Sequence, residues 1–304
     1  MLSGMAGSSP AMTRMPLSPP TATLLRQFHA RKPARIWSLI VTLYGDAIVP
    51  RGGSLWVGSL IEIMALFDID AGHVRTAVSR LAADGWLAST KRGRASYYRL
   101  SRGGEAEFLQ ATQRIYAGVP VRQGEMLLAL IGSAATDPAK SRAQLDAAGF
   151  AAVSPAIHAG FGDLPETLSG CNGVYAATPH ARDRCALAQV AFRLHEVSQA
   201  YRDFVGQFAP LADALEKRAP DEAEALLLRT LLIHAFRRVV LRDPGLPADL
   251  LPEDWQGGLA RKLTARIYRQ VAVPSEAFLN RVAQNEQGTL PAPGPDFAAR
   301  FENI

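Results

Sequence analysis

Residues 33–116 contain three segments with apolar residues at helical spacing, followed by a basic turn between two short β-rich segments. Gly45 is predicted to end the first helix, and Ser59 with Glu62 three residues later has the spacing of a capping box for the second. A third helix is predicted from about Ala71 to Asp84, where Gly85 stops it. This order is that of a winged helix-turn-helix, so residues 33–116 are predicted to be a DNA-binding domain.

The third helix has two chemically different faces when its residues are placed 100° apart. One sector is apolar and contains Val74, Ala77, Val78 and Leu81. The opposite sector contains Gly72, Arg75, Thr76 and Ser79, with His73 and Arg80 at its flank. Because Arg, Ser and Thr can contact base edges and phosphates, the predicted DNA-binding residues of this helix are Arg75, Thr76, Ser79 and Arg80.

The turn between the two β-rich segments supplies three more predicted DNA contacts, Lys91, Arg92 and Arg94. Residues 31–114 hold twelve Lys and Arg against seven Asp and Glu, an excess of +5 that equals the net charge of the whole chain. A basic excess confined to one segment is typical of an electrostatic contact with DNA. Taken one at a time, however, the turn could be a solvated loop and the helix an ordinary surface helix.

Three further regions are predicted from composition and periodicity. Residues 122–180 show the strand and helix order of a ferredoxin-like domain, with one strand over Phe150–Ile157, and residues 181–284 are helical, with a last helix over Gly258–Val271. Residues 1–30 are predicted to be a disordered extension, and the Pro- and Gly-rich residues 285–304 a loose tail. The predicted fold class is therefore an α+β multidomain protein.

Composition narrows the class of protein. No apolar run approaches the roughly 20 residues of a membrane-spanning helix, and no secretory signal is evident, so a cytoplasmic protein without a membrane partner is expected. Cys171 and Cys185 fit neither a disulfide framework nor a zinc site and are predicted to be small core residues. No metal site, catalytic residue or cofactor is predicted.

Enzymatic alternatives find little support in the sequence. A metal-dependent nuclease of the small ferredoxin-like type needs an Asp near the end of its first strand, where this chain has Leu130–Ala135 without a carboxylate. No nucleophile elbow or phosphate-binding glycine loop is present in the sequence. An enzyme acting on acyl-CoA thioesters stays open as an alternative, as does a DNA-binding regulator without a small-molecule effector.

Several long motifs resemble one family, the PaaX repressors of phenylacetate degradation. In the first domain these motifs span residues 39–46, 50–53, 55–60, 74–81, 84–86 and 94–100, and downstream they span residues 232–238, 241–247 and 250–255. The resemblance covers about residues 33–283. It implies a winged helix, a ferredoxin-like domain and a helical domain in a homodimeric repressor of an aromatic catabolic operon. It also implies double-stranded operator DNA as the partner and release by an aryl-acetyl-CoA thioester, typically phenylacetyl-CoA.

The effector site is a hypothesis from chemistry, because a CoA thioester carries phosphates that suit Arg and apolar groups that suit a hydrophobic wall. His234, Arg237, Arg238 and Arg242 lie along one segment of a predicted helix and are the candidate effector-binding residues. The alternative is structural, with these arginines paired to acids such as Glu224, Asp243 or Asp254.

Overall fold

A computed structural model describes residues 17–30, 36–168, 173–302 and residue 304. The chain is a mixed α+β protein of several helices and small sheets, which confirms the predicted class at that level. The predicted start of the first helix at Pro33, the segment 1–16 and Cys171 lie outside the described residues.

The first unit combines helices with a three-stranded antiparallel sheet in the order β1-β3-β2. Its elements are α2 (Ile36–Leu43), β1 (Leu55–Trp56), α3 (Val57–Ala65), α4 (Ala71–Ala83), β2 (Leu87–Arg92), β3 (Ala95–Leu100) and α5 (Arg102–Thr112). Strands β2 and β3 form a hairpin directly after α4, so the predicted order of elements is present.

The central unit is a four-stranded antiparallel sheet in the order β5-β6-β4-β7. Its elements are β4 (Met126–Ile131), α6 (Pro138–Ala147), β5 (Ala151–Ser154), β6 (Ile157–Phe161) and β7 (Val174–Ala177). The strand predicted over Phe150–Ile157 was wrong, since a turn after Ser154 divides the segment into β5 and β6. No helix lies between β6 and β7 in residues 162–168 and 173, so the ferredoxin-like assignment stays a prediction.

The remainder of the chain is mainly helical. Its elements are α7 (Arg184–Ala191), α8 (Leu194–Lys217), α9 (Glu222–Val240), α10 (Gly257–Val282), the short strands β8 (Gln284–Asn285) and β9 (Gly288–Thr289), and α11 (Pro295–Ala298). Helix α10 runs through Pro274 and exceeds the predicted end at Val271. Cys185 in α7 is exposed, which corrects its prediction as a core residue.

Both chain ends were predicted to be unstructured, and the structure corrects this for the described residues. Helix α1 (Pro19–Ala30) buries Leu24, Leu25 and Phe28, since these apolar residues share one face that packs against the helical region. At the other end Phe301 is fully buried, and β8 lies beside β1. The described residues of both terminal segments, 17–30 and 285–302, therefore belong to the packed structure.

The first unit and the helical region share one hydrophobic core. Leu39, Leu43 and Val78 of the first unit belong to the same buried cluster as Leu232 and Ile267 of α9 and α10. The central sheet packs around separate, smaller clusters. The chain thus builds one body from its two outer parts, with the central unit inserted between them in sequence.

Two local predictions at this shared core were wrong for the same reason. Gly45 does not end the helix, which continues as a π-helical turn over Tyr44–Ile48; a Cβ at Gly45 would lie 1.9 Å from Phe108 Cε2, so the glycine permits close packing. Ser59 lies inside α3 and does not cap it; its hydroxyl donates to the Val282 carbonyl at 2.8 Å. Long-range packing determines both positions.

Candidate nucleic-acid interface

Helix α4 presents the two faces that the sequence predicts. Val74, Val78 and Leu81 are buried, which fixes one face of the helix to the core. The four predicted contact residues on the opposite face and its flank are all exposed: Arg75, Thr76, Ser79 and Arg80. A rigidly seated helix with an exposed polar and basic face can enter a DNA groove without rearrangement of its own backbone.

The N-terminus of α4 is held by Asp70, whose carboxylate accepts hydrogen bonds from the backbone N–H groups of Gly72 at 2.8 Å and His73 at 3.0 Å. The same carboxylate also pairs with the His73 ring. The hydrogen bond from His73 is the main reason why the pKa of Asp70 lies below its usual value. Asp70 thus caps the helix and keeps a negative charge in the turn before it.

The C-terminus of α4 is joined to the hairpin and to α5 by a short chain of hydrogen bonds. Gly85 has a φ of +76°, and the following Trp86 N–H donates to the Leu81 carbonyl at 2.8 Å. Ser101, the cap of α5, donates its backbone N–H to the Trp86 carbonyl at 2.9 Å and its hydroxyl to the Gly85 carbonyl at 2.5 Å. These bonds fix the direction of α4 relative to α5.

The hairpin places its basic residues at the tip. Lys91, Arg92 and Arg94 are all exposed, and Gly93 between them has a φ of +59°, which a tight turn between β2 and β3 requires. Arg92 makes a long contact of 3.5 Å with the Glu286 carbonyl. The three predicted wing residues therefore lie together at one end of the sheet.

The strand register adds a basic residue that the sequence analysis did not select. Ala88 pairs with Arg99, and Thr90 pairs with Tyr97. Because side chains of paired residues share a face, exposed Arg99 lies on the same face of the hairpin as Arg92. Its alternation with buried Leu100 could have indicated this position.

The exposed cations differ in their intramolecular partners. Arg80 pairs with Asp84 at 3.6 Å, with both side chains largely exposed. Within the described residues, Arg75, Lys91 and Arg94 form no hydrogen bond or ion pair. These three side chains can contact phosphates without first breaking a bond to a described residue.

The four candidate effector residues, three on α9 and Arg242 just after it, do not converge on one site. His234 is buried and shares a hydrogen bond of 3.1 Å with the Thr42 hydroxyl, while half-buried Arg237 donates to the Ser38 hydroxyl at 3.4 Å. Both therefore face α2, whereas Arg238 and Arg242 are exposed.

The alternative, in which these arginines pair with Glu224, Asp243 or Asp254, differs from the ion pairs in the structure. Arg242 lies 3.4 Å from Glu196. Glu224 pairs with Arg218, and Asp254 pairs with Arg202. Glu224 and Asp254 are therefore engaged by arginines of other elements.

A buried ionic network joins the first unit to the helical region and was not predicted. We call it the joint network: Asp46, Arg51, Arg229, Glu276 and Arg300. Arg229 Nε donates to Asp46 Oδ2 at 2.6 Å and Arg51 Nε to Glu276 Oε2 at 2.6 Å. Arg300 Nη1 donates to Asp46 Oδ1 at 2.9 Å. Burial alone would raise the pKa of Asp46, but Arg229 and Arg300 outweigh it and lower that pKa below its usual value.

In the part of the chain that is described, no group of His, Cys, Asp or Glu could hold a metal ion. Among the described residues, no helix is long and apolar enough to cross a membrane.

A unit of helices and a three-stranded sheet, with a basic helix seated on the core and a basic hairpin, defines a candidate nucleic-acid-binding protein of mixed α+β class. Profiles of the PaaX-like protein family and of its C-terminal domain match residues 35–104 and 192–281 respectively. The chain is also 38% identical over 286 residues to "Transcriptional repressor PaaX" of Escherichia coli K12, with 88% of this chain and 90% of the relative covered. The chain belongs to the PaaX-like protein family.

A solved structure, "Uncharacterized protein Rv0674 from Mycobacterium tuberculosis", is similar at 23% identity and a TM-score of 0.45. The match covers 72% of this chain and 89% of that chain.

Proposed function

We propose that this protein is a DNA-binding transcriptional repressor of a phenylacetate-type catabolic operon. In this proposal residues 33–116 act as a winged helix-turn-helix, with α4 in the major groove and the β2–β3 hairpin as the wing. The observation that carries it is the exposed basic face of α4, which lies opposite the face that buries Val74, Val78 and Leu81. The 38% identical relative named a transcriptional repressor supports the regulatory role.

The contact residues divide by chemistry. Arg75 is suited to guanine O6 and N7, and Thr76 and Ser79 to bases or phosphates. Lys91, Arg92 and Arg94 are suited to phosphates or the adjacent minor groove. Binding should therefore weaken steeply as salt is added, because each neutralised phosphate releases counterions.

A homodimer would bind a two-fold-related operator in the cytoplasm, and an aryl-acetyl-CoA thioester would release it by binding better to a state that does not fit DNA. The PaaX-like family membership and the basic surface support a regulator rather than a catalyst. No resident cofactor is part of the proposal.

The test is fluorescence anisotropy with labelled intergenic DNA that flanks the gene of this protein. Arg75→Ala should weaken binding to that DNA by about tenfold or more, because a bidentate contact to guanine contributes roughly 1–3 kcal/mol of discrimination. Arg182→Ala is the matched control, since Arg182 is 83% exposed and lies outside the first unit.

The control variant should bind as the unmodified protein does. Equal affinity of Arg75→Ala and the unmodified protein, on specific and random DNA alike, would contradict the role of α4. Operator binding that no thioester affects would leave a regulator without a small-molecule effector.

A further inference from the structure

A cavity of about 160 Å³ lies where the first unit meets the helical region. Helices α2, α5 and α9 and the end of the hairpin form its wall, which is mainly apolar and includes Val41, Leu100, Phe108, Ala111 and Ile233. Exposed Glu107 and Leu241 mark its mouth. An engineered apolar cavity of about 150 Å³ binds benzene, so this volume suits one aromatic ring.

Arg237 is the cation of this wall that lacks an ionic partner among the described residues. Its one hydrogen bond is the 3.4 Å contact with the neutral Ser38 hydroxyl, and burial lowers the pKa of its guanidinium group. Asp46 also lines the cavity, but its carboxylate is taken up by Arg229, Arg300 and Tyr116. A half-buried guanidinium that is paired with no carboxylate favours a ligand that brings an oxygen acceptor.

The cavity adjoins the residues that fix the direction of α4. Trp86, which lines the cavity, follows α4 after Gly85 and is bonded to both Leu81 and Ser101. Gly104 in the first turn of α5 is a second lining residue, and a Cβ there would lie 2.8 Å from the Trp86 carbonyl. A ligand that shifts Trp86 or α5 would therefore change the angle between α4 and the hairpin.

We propose that this cavity binds the aryl-acyl group of the effector, with the ring among the apolar side chains and the acyl oxygen accepting hydrogen bonds from Arg237. The inference rests on the proposed function, because it assigns a location to the effector named there. A CoA group would leave through the mouth beside Leu241, next to exposed Arg242. A free arylacetate and its CoA thioester share the ring and the oxygen acceptor. The experiment therefore compares both compounds to determine which of them binds.

Two variants of the full-length protein test the site. Ala111→Phe fills the cavity from α5, and Arg237→Met removes the cation while keeping an unbranched side chain. Ala106→Phe places the same ring on an exposed position of α5, and Arg182→Met removes an exposed cation elsewhere, so these are the matched controls. Circular dichroism checks that each variant is folded.

Ligand binding is measured by calorimetry without DNA, and operator release by anisotropy, using phenylacetyl-CoA, phenylacetate, acetyl-CoA and CoA. Arg237→Met should retain operator binding but require about tenfold more ligand for release, as expected for loss of a charge-assisted hydrogen bond. Ala111→Phe should bind ligand about tenfold more weakly by calorimetry, as expected for loss of the ring site. The controls should respond as the unmodified protein does. Binding of either phenylacetyl compound, blocked by these variants, supports the site and identifies the source of the ring.

Contrary outcomes are distinct. If Ala111→Phe and Arg237→Met bind ligand as tightly as the unmodified protein does, the proposal that this cavity is the binding site is wrong. Acetyl-CoA binding as tightly as phenylacetyl-CoA would overturn the ring assignment. If the unmodified protein binds the operator but no phenylacetyl compound, the effector site fails while DNA binding stands. If it binds the ligand but not DNA, the repressor proposal fails while the cavity is still tested by calorimetry.

Discussion

The arginines of α4 and the β2–β3 hairpin differ in environment from the arginines of the joint network. Arg75 and Arg94 are exposed and have no ionic partner among the described residues. Arg229 is fully buried and donates to Asp46, Ser275 and Glu276. The first arrangement leaves charge available to an outside partner, whereas the second uses charge to hold two parts of the chain together.

The largest effect is expected from breaking the joint network. Arg229→Met removes one of the two arginine partners of Asp46 and one of the two of Glu276, which leaves buried negative charge only partly compensated, so the free energy of unfolding should fall by about 3–5 kcal/mol. Urea denaturation followed by circular dichroism measures this. Arg281→Met is the control, because Arg281 pairs with Glu222 where both side chains are about half exposed. Equal losses for the two variants would show that burial does not set the energy of these pairs.

The same network predicts a loss of stability in acid. The pKa of Asp46 is lowered in the folded state, so its contribution is fully present above the unfolded pKa of about 3.9 and is lost as the pH falls through the folded value. Glu224 has a lowered pKa as well, since hydrogen bonds from Ser18 and Thr21 outweigh its burial.

The denaturant concentration at the unfolding midpoint, measured between pH 2 and 6, should therefore decrease once the pH is below about 4. Asp46→Asn should flatten part of that decline while being less stable at pH 7. A pH profile of Asp46→Asn that parallels the unmodified protein would argue against this assignment.

A smaller effect is expected at the connection between hairpin and α5. Ser101 accepts a hydrogen bond from the Gly104 N–H at 3.1 Å as the cap of α5. Ser101→Ala should cost about 1 kcal/mol of unfolding free energy. Thermal denaturation measures the loss, and Ser101→Asp, which preserves a capping oxygen, should recover most of it. Failure of that recovery would mean that the bond to the Gly85 carbonyl matters more than the cap.

The smallest effect on stability is expected at Arg80. Its pair with Asp84 is exposed, so Arg80→Ala should change the free energy of unfolding by less than about 0.5 kcal/mol. The same variant should weaken operator DNA binding measurably. Arg80→Ala would then affect DNA binding more than stability, whereas Arg229→Met affects stability. A large loss of unfolding free energy in Arg80→Ala would contradict this difference.

Helix α4 could be predicted from the sequence better than the joint network could. The faces of α4 follow from its local periodicity, so Val74, Val78 and Arg75 could be placed from sequence alone. Asp46 and Arg229 are 183 residues apart, and no local pattern relates such partners. Gly45 and Ser59 resembled helix end signals, although their environment comes from distant side chains.

The four effector candidates show the same limit. His234, Arg237, Arg238 and Arg242 are close in sequence, yet two face α2 and two face solvent. Arg237 gains its significance from Trp86 and Phe108, which line the same cavity and are contributed by the first unit.

The core shared by the two outer parts of the chain has a consequence for the timing of biosynthesis. At about 5–20 residues per second, the 183 residues that separate Asp46 from Arg229 take roughly ten to forty seconds to synthesise. During that interval α2 has emerged but α9, which covers it, does not yet exist. The proposed DNA-binding domain should therefore complete its folding only near the end of translation. A ribosome that stalls in the central unit should release a fragment that chaperones bind and that does not bind DNA.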